Sequence, residues 1–184
     1  MFANRKKLFN KEAAVNAILY IIQKFGCVDI HKVCKILYYA DQQHLAKYGR
    51  QITGDTYICM QYGPVPSNIE DIFKALRGES YFADQVQDLR NVIVFVNKFT
   101  VTSAVKPDMD ELSESDVECL DAAINKCRPF DFPTLTNLSH GLAWSLAERN
   151  GEIDLGNILR EVGEDEDYVD YIEEKRRTQL LFLS

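Results

Sequence analysis

The sequence predicts a mainly α-helical (α+β) domain of six to eight helices carrying one small antiparallel β-sheet or hairpin. Three observations carry that prediction. Apolar residues recur at helical spacing through most of the 184 residues. Capping residues and glycines bracket those stretches at the offsets helix ends require. One run, "NVIVFVNKFTVTSAV" (91–105), is instead rich in β-branched and aromatic residues, with a turn available at Asn97-Lys98.

Taken in order, Asn10 caps a first helix running to about Phe25, with Ala14, Ile18, Leu19, Ile21, Ile22 and Phe25 as its apolar side and Gly26 ending it. Asp29 caps a second helix to about Tyr48, and Gly49 stops it. The short connection predicts that these two helices pack as an antiparallel pair. Residues 56–61 alternate like a short strand and are expected to join the 91–105 hairpin in one sheet. Ser67-Asn68-Ile69-Glu70 reads as a capping box that starts a third helix at Asn68, which ends near Gly78. Residues 79–90 are polar and show no clear period. Ser113 and Asp116 form a weaker capping pair ahead of a helix to about Cys127. "DFPTLTNLSHGLAWSLAERNG" (131–151) predicts one helix or two short ones, from near Pro133 to Gly151. Asp154 caps another short helix, and 166–181 form the last. The division expected is a domain over 1–152 and a C-terminal helical extension over 153–184, packed on the domain or flanking it.

At 46% hydrophobic and 27% charged residues, the chain can bury a real core. No run of 18 apolar residues exists, so no membrane-spanning helix is expected, and the start of the chain does not read as a signal peptide. Cytoplasm is the expected location. The five cysteines, at 27, 34, 59, 119 and 127, include no C-x-x-C pair and read as free thiols. A metal site drawn from Cys27, His31, Cys34 and His44 matches no recurrent zinc spacing, so neither metal nor cofactor is expected. The net charge of −7 is uneven: residues 1–50 carry nine Lys/Arg against three acids, the remainder twelve against twenty-five. The basic N-terminal helices either lie against the acidic remainder of the same chain or meet an acidic partner. Nucleic acid is disfavoured as a partner, because phosphate neutralisation needs a cationic molecule.

At 100° per residue, Asp41 and His44 fall in the same sector as Ile30, Val33, Cys34, Leu37 and Tyr48, on the face expected to be buried. A buried carboxylate must be paired or hydrogen-bonded. In a catalytic arrangement Asp41 orients His44 as a general base beside Tyr62. In a structural arrangement the two satisfy backbone groups of the loop that follows. The chain offers no phosphate-binding glycine loop, no H-E-x-x-H and no G-x-S-x-G. His140 and Trp144 stand four apart, with the only Trp expected in the core and His140 either stacking on it or serving as a ligand. In the loop, Gly49 and Gly54 can take positive φ, and Asp55 can bond its own downstream amides, so "ITGD" makes a tight turn. Pro64 and Pro66 force residues 63–66 to be extended. That leaves open carbonyls and a ridge of Tyr62, Pro64, Val65 and Pro66, suited to recognition or to sealing the core.

The stretch "ILYYADQQHLAKYGRQITGDTYICMQYGPVPS" (36–67) closely resembles the signature of the Panacea domain, the SocA-like antitoxin or phage-associated GepA family. The matching positions are Leu37, Tyr38, Ala40, Asp41, His44, Leu45, Tyr48, Gly49, Ile52, Thr53, Gly54, Asp55, Tyr57, Tyr62, Gly63, Pro64, Val65 and Pro66. Leu112, Ser113 and Asp116 are similar to the start of a later family helix, and Ser139, His140 and Trp144 to a later family motif. The likeness covers about residues 12–150. It implies an α-rich antitoxin of a toxin–antitoxin pair, often encoded beside phage or mobile-element genes. Such antitoxins meet toxins of many folds by protein–protein contact and not by catalysis, blocking an active site or handing the toxin to another machine. The partner it implies is a cognate toxin, with no membrane role, and a homo-oligomer is compatible with it. The motif residues then serve structure or partner binding. Two alternatives remain: a phage or mobile-element protein that binds a host defence factor, and a small hydrolase or transferase using Asp41, His44 and Tyr62.

Overall fold

The first two helices begin and end where their caps predict. In the computed structural model, which describes residues 8–79 and 83–183, α1 (Lys11–Phe25) opens where the Asn10 side chain accepts the Ala13 amide at 3.1 Å. A three-residue strand, β1 (Cys27–Asp29), leads to α2 (Ile30–Tyr48), whose first turn is capped by Asp29 accepting the His31 amide at 2.8 Å. Helix α2 is buried around most of its circumference although its sequence is little more than half apolar: Lys35, Asp41, Gln42 and His44 are buried beside the apolar residues. It therefore collects neighbours. Its most extensive packing is against α4 (Glu114–Cys127), and α1 touches it only lightly. The short link does not make α1 the main partner of α2.

The single expected sheet is two sheets. The run 91–105 supplies the predicted hairpin, β4 (Val94–Phe95) and β5 (Thr100–Thr102). Its second strand pairs with β1, setting Val28 opposite Val101. Strand β2 (Tyr57–Met60) pairs with β3 (Gly63–Pro66) instead, from Tyr57 opposite Pro66 to Met60 opposite Gly63. The two prolines cost no ladder bond. The Cys59 amide donates to the Gly151 carbonyl at 2.9 Å, and the Ile153 amide donates to the Tyr57 carbonyl at 2.8 Å. The polar backbone of Tyr57 and Cys59 thus points away from β3, so Pro66 and Pro64 sit at non-hydrogen-bonded pairs. Residues 150–153 thereby line the second edge of β2.

Helix α3 (Ser67–Leu76) begins without the predicted Ser67–Glu70 box, and no side chain of its own caps it. The Asp55 carboxylate does so from the preceding loop, accepting the amides of Asn68 at 3.0 Å and Ile69 at 3.1 Å and the Asn68 side-chain amide at 2.7 Å. A charged acceptor already placed at the helix start leaves the Ser67 hydroxyl nothing to cap. Residues 83–89 and 109–111 form 3-10 turns, and α4 carries the predicted Ser113–Asp116 box. Residues 131–151 give two short helices, α5 (Phe132–Leu138) and α6 (Leu142–Leu146), and helix ends at Leu146, short of Gly151. Then come α7 (Leu155–Glu161), capped by Asp154, and α8 (Glu166–Phe182), capped by Asp165.

Eight α-helices and two small antiparallel sheets thus make a mainly α fold among the described residues. One core joins Ile18, Ile36 and Phe73 with Ile153 and with Ile158, Leu159, Val169 and Ile172 from the last two helices. Cations of the first fifty residues meet acids of the remainder: Lys11 with Asp88, Lys24 with Asp121, Lys47 with Glu118 and Arg50 with Asp116. No described helix is long and apolar enough to cross a membrane.

Candidate functional site

Asp41 and His44 share a helix face but part company at their tips. One Asp41 oxygen accepts the amides of Ile52 at 2.7 Å and Thr53 at 3.2 Å; the other accepts the hydroxyls of Thr53 at 2.7 Å and Tyr57 at 2.8 Å. Burial pushes its carboxyl upward against the pull of those four donors. His44, fully buried, places Nδ1 2.8 Å from the Arg50 carbonyl, an acceptor, so that nitrogen donates there. Its Nε2 lies 2.9 Å from the Ser115 hydroxyl and 3.0 Å from Asp116. Burial alone would raise the Asp116 carboxyl. Hydrogen bonds from His44 and Ser113, with the Arg50 charge, bring it down to about 2. Tyr48 packs its ring at a tilt against His44 and donates its hydroxyl to Glu118 at 2.7 Å.

The loop between α2 and β2 is pulled tight by these contacts. Gly49 ends α2 at φ 67° in the left-handed region. Gly54 takes φ 63°, and a Cβ there would run into the Leu8 carbonyl. Asp55 also accepts the Thr56 amide at 2.7 Å, and burial pushes its carboxyl up to about 6 against its hydrogen bonds.

The carbonyls of the β2–β3 hairpin do not stay open. Trp144 Nε1 donates to the Met60 carbonyl at 3.0 Å, His31 Nε2 meets the Tyr62 carbonyl at 3.2 Å, and Lys35 Nζ donates to the Pro64 carbonyl at 2.8 Å. Lys35 is fully buried, and burial brings its ammonium down to about 8. Burial likewise lowers His31 to about 4, so its ring is neutral at pH 7. Gly63, at φ 94°, is packed so closely that a Cβ would strike the Ser139 hydroxyl and approach Lys35 Nζ to 2.9 Å. Trp144 is half-buried and packs on the edge of the core, not inside it, because its indole N–H must reach the hairpin. His140 stacks on it with centroids 3.7 Å apart, across the turn before α6.

Glu161 escaped sequence reasoning. It accepts the Tyr38 hydroxyl at 3.2 Å, the Gln42 amide at 2.9 Å and the Ala143 backbone amide at 2.8 Å, capping α6 from α7. No local signal marks a partner 123 residues from Tyr38.

Around the hairpin, large apolar side chains stay in water. Tyr62 is 51% exposed, Phe132 45%, Phe99 55% and Met60 39%. Phe132 packs against His31 with centroids 4.1 Å apart and against Tyr62 at 5.3 Å. These side chains, with Ile30, Cys34 and Val65, line a groove of about 570 Å³ whose charged lining residues are Asp29 and Glu70. Of the exposed ridge read from sequence, Tyr62 and Val65 line this groove, while Ile30 and Cys34 come from the face of α2 expected to be buried.

The family model for the SocA-like antitoxin, Panacea domain, matches residues 33–145. The chain belongs to the SocA-like antitoxin, Panacea domain family. Neither the search of curated proteins nor the search of solved structures found a match. Membership in the Panacea family points to an antitoxin role and away from an enzyme. The matched span begins in α2 and ends in α6, so it contains the whole hairpin and most of what pins it. Residues 150–153, α7 and α8, which complete the edge of β2 and the core, lie beyond it.

Proposed function

We propose that this chain is the antitoxin of a toxin–antitoxin pair, neutralising a cognate toxin by direct protein–protein binding through the face around Tyr62. One observation carries the reading. The polar motif residues Asp41, His44, Thr53, Asp55 and Tyr57 spend their hydrogen bonds on holding the loop, the hairpin and what packs on them, while Tyr62 of the hairpin and, beside it, Phe132 of α5 and Phe99 of the β4–β5 turn stay exposed. Exposed aromatic side chains around a depression are the chemistry of protein-interface hot spots. A hydrolase or transferase built from Asp41, His44 and Tyr62 lacks its geometry. Among the described residues no hydrogen bond joins any two of the three, and the Tyr62 ring packs edge-to-face with Phe132 instead. The five free thiols fit a reducing, cytoplasmic setting.

The test is co-expression with each gene flanking that of this chain. The expected result is a neighbour that arrests growth alone, is rescued by this chain and co-purifies with it. If no neighbour is toxic and rescued, the reading fails.

A further inference from the structure

We infer that the groove beside Tyr62 takes a segment of the toxin that presents a bulky apolar side chain next to a lysine or arginine; this rests on the antitoxin reading above. The shape of the groove sets the apolar half. Its walls are carbon from Ile30, Val65, Phe99, Phe132 and Met60, and its volume of about 570 Å³ is that of a pocket that buries a compact group. Four of the aromatic and Met side chains at its mouth keep a large part of their surface in water, which a partner would remove.

Charge sets the other half. The lining includes two carboxylates, Asp29 and Glu70, and no lysine or arginine, while His31 is neutral at pH 7. Glu70 is only loosely held from behind: Lys74 stands 3.7 Å away and Arg77 3.8 Å, with Arg77 nearer to Glu79 at 2.9 Å. An anionic segment entering the groove would meet two carboxylates, of which, among the described residues, only Glu70 has cations within 4 Å. A lysine or arginine could lay its alkyl stem along the apolar wall, place its charge over the Tyr62 or Phe132 ring and reach a carboxylate. The whole chain, at −7, biases encounters the same way.

Panning the full chain against a random dodecapeptide display library tests this without knowing the toxin, with selected peptides then made synthetically and titrated by calorimetry. The expected peptides place Phe, Trp or Leu beside Lys or Arg. Replacing the cation by Glu weakens binding at least tenfold, and the Asp29→Asn/Glu70→Gln double variant loses at least tenfold for the same peptides. Asn at position 29 retains the helix cap, so the double variant keeps the parental melting temperature. Phe132→Ser, on the exposed rim, abolishes binding while leaving the melt unchanged. No enrichment, enrichment without a cation preference, or affinity indifferent to all three substitutions overturns the inference. A toxin neutralised equally well by Phe132→Ser and Tyr62→Ser also overturns it while leaving the antitoxin reading intact. If no toxin is found, the antitoxin reading falls, and the peptide titrations decide the chemistry of the groove by themselves.

Discussion

Two side chains show how far the burial of a charge can be offset, and both lead to measurable outcomes. Asp55 is buried, yet it gathers three amide N–H groups and one side-chain amide, two of those backbone donors belonging to the first turn of α3. Asp55→Ala leaves buried donors unmet and is expected to cost about 2–3 kcal/mol in urea unfolding. Ser67→Ala, which a true capping box would make costly, is expected to stay within about 0.5 kcal/mol of the parent. Reversal of that order would remove Asp55 as the cap. Lys35 is the opposite case: its ammonium is buried on a single carbonyl, with its titration lowered from 10.5 to about 8. Between those values the unfolded chain holds a proton that the folded chain lacks, so stability attributable to Lys35 rises with pH across that window. Below pH 8 the cost of burying the charge is present in full. Lys35→Met removes that cost, so its stability advantage over the parent is expected to shrink by about 2–3 kcal/mol between pH 7.5 and pH 10. Comparing variant with parent cancels the titration of the buried cysteines and tyrosines. An advantage that is flat with pH would contradict the assignment.

At the scale of elements, the β2–β3 hairpin is held by side chains from two helices, α2 and α6, as well as by its own ladder. Met60, Tyr62 and Pro64 offer alternate carbonyls to Trp144, His31 and Lys35, so the hairpin is stapled around its turn. Close approach at Gly63 is the condition for this. Gly63→Ala combines a positive φ with a clash against Ser139 and is expected to destabilise by at least about 2 kcal/mol, seen as a lowered melting temperature. The helices around the hairpin were legible from short range. Asn10, Asp29, Ser113 and Asp154 each cap a helix they directly precede, and a cap is a contact within three residues. Position 67 misled for the same reason: Ser-x-x-Glu satisfies the local rule, but the cap came from twelve residues earlier. The sheet partners were illegible because extended segments of two to four residues can pair with any free edge, and the choice is made by what packs behind them.

The molecule as a whole is bound together by α2, which contributes to the core, the hairpin staples and the Glu161 junction at once. The segment after 152 takes part in the same core through Ile153, Ile158, Leu159, Val169 and Ile172, and it lines β2. Removing 153–184 strips five buried side chains, each contributing about 1.5–3 kcal/mol, from a fold whose total stability is on the order of 5–15 kcal/mol. The 1–152 fragment is therefore expected to be insoluble or to lack a cooperative melt, and a soluble, cooperatively melting fragment would refute this. By itself, the sequence determined the fold class, the helix starts and the family signature, because periodicity and capping act within one or two turns. Only the tertiary structure decided that the signature is a stapled joint with an apolar groove outside it. The partners that make it so, such as Lys35 with Pro64 and Tyr38 with Glu161, are separated by 29 and 123 residues, and only packing brings them within hydrogen-bond reach.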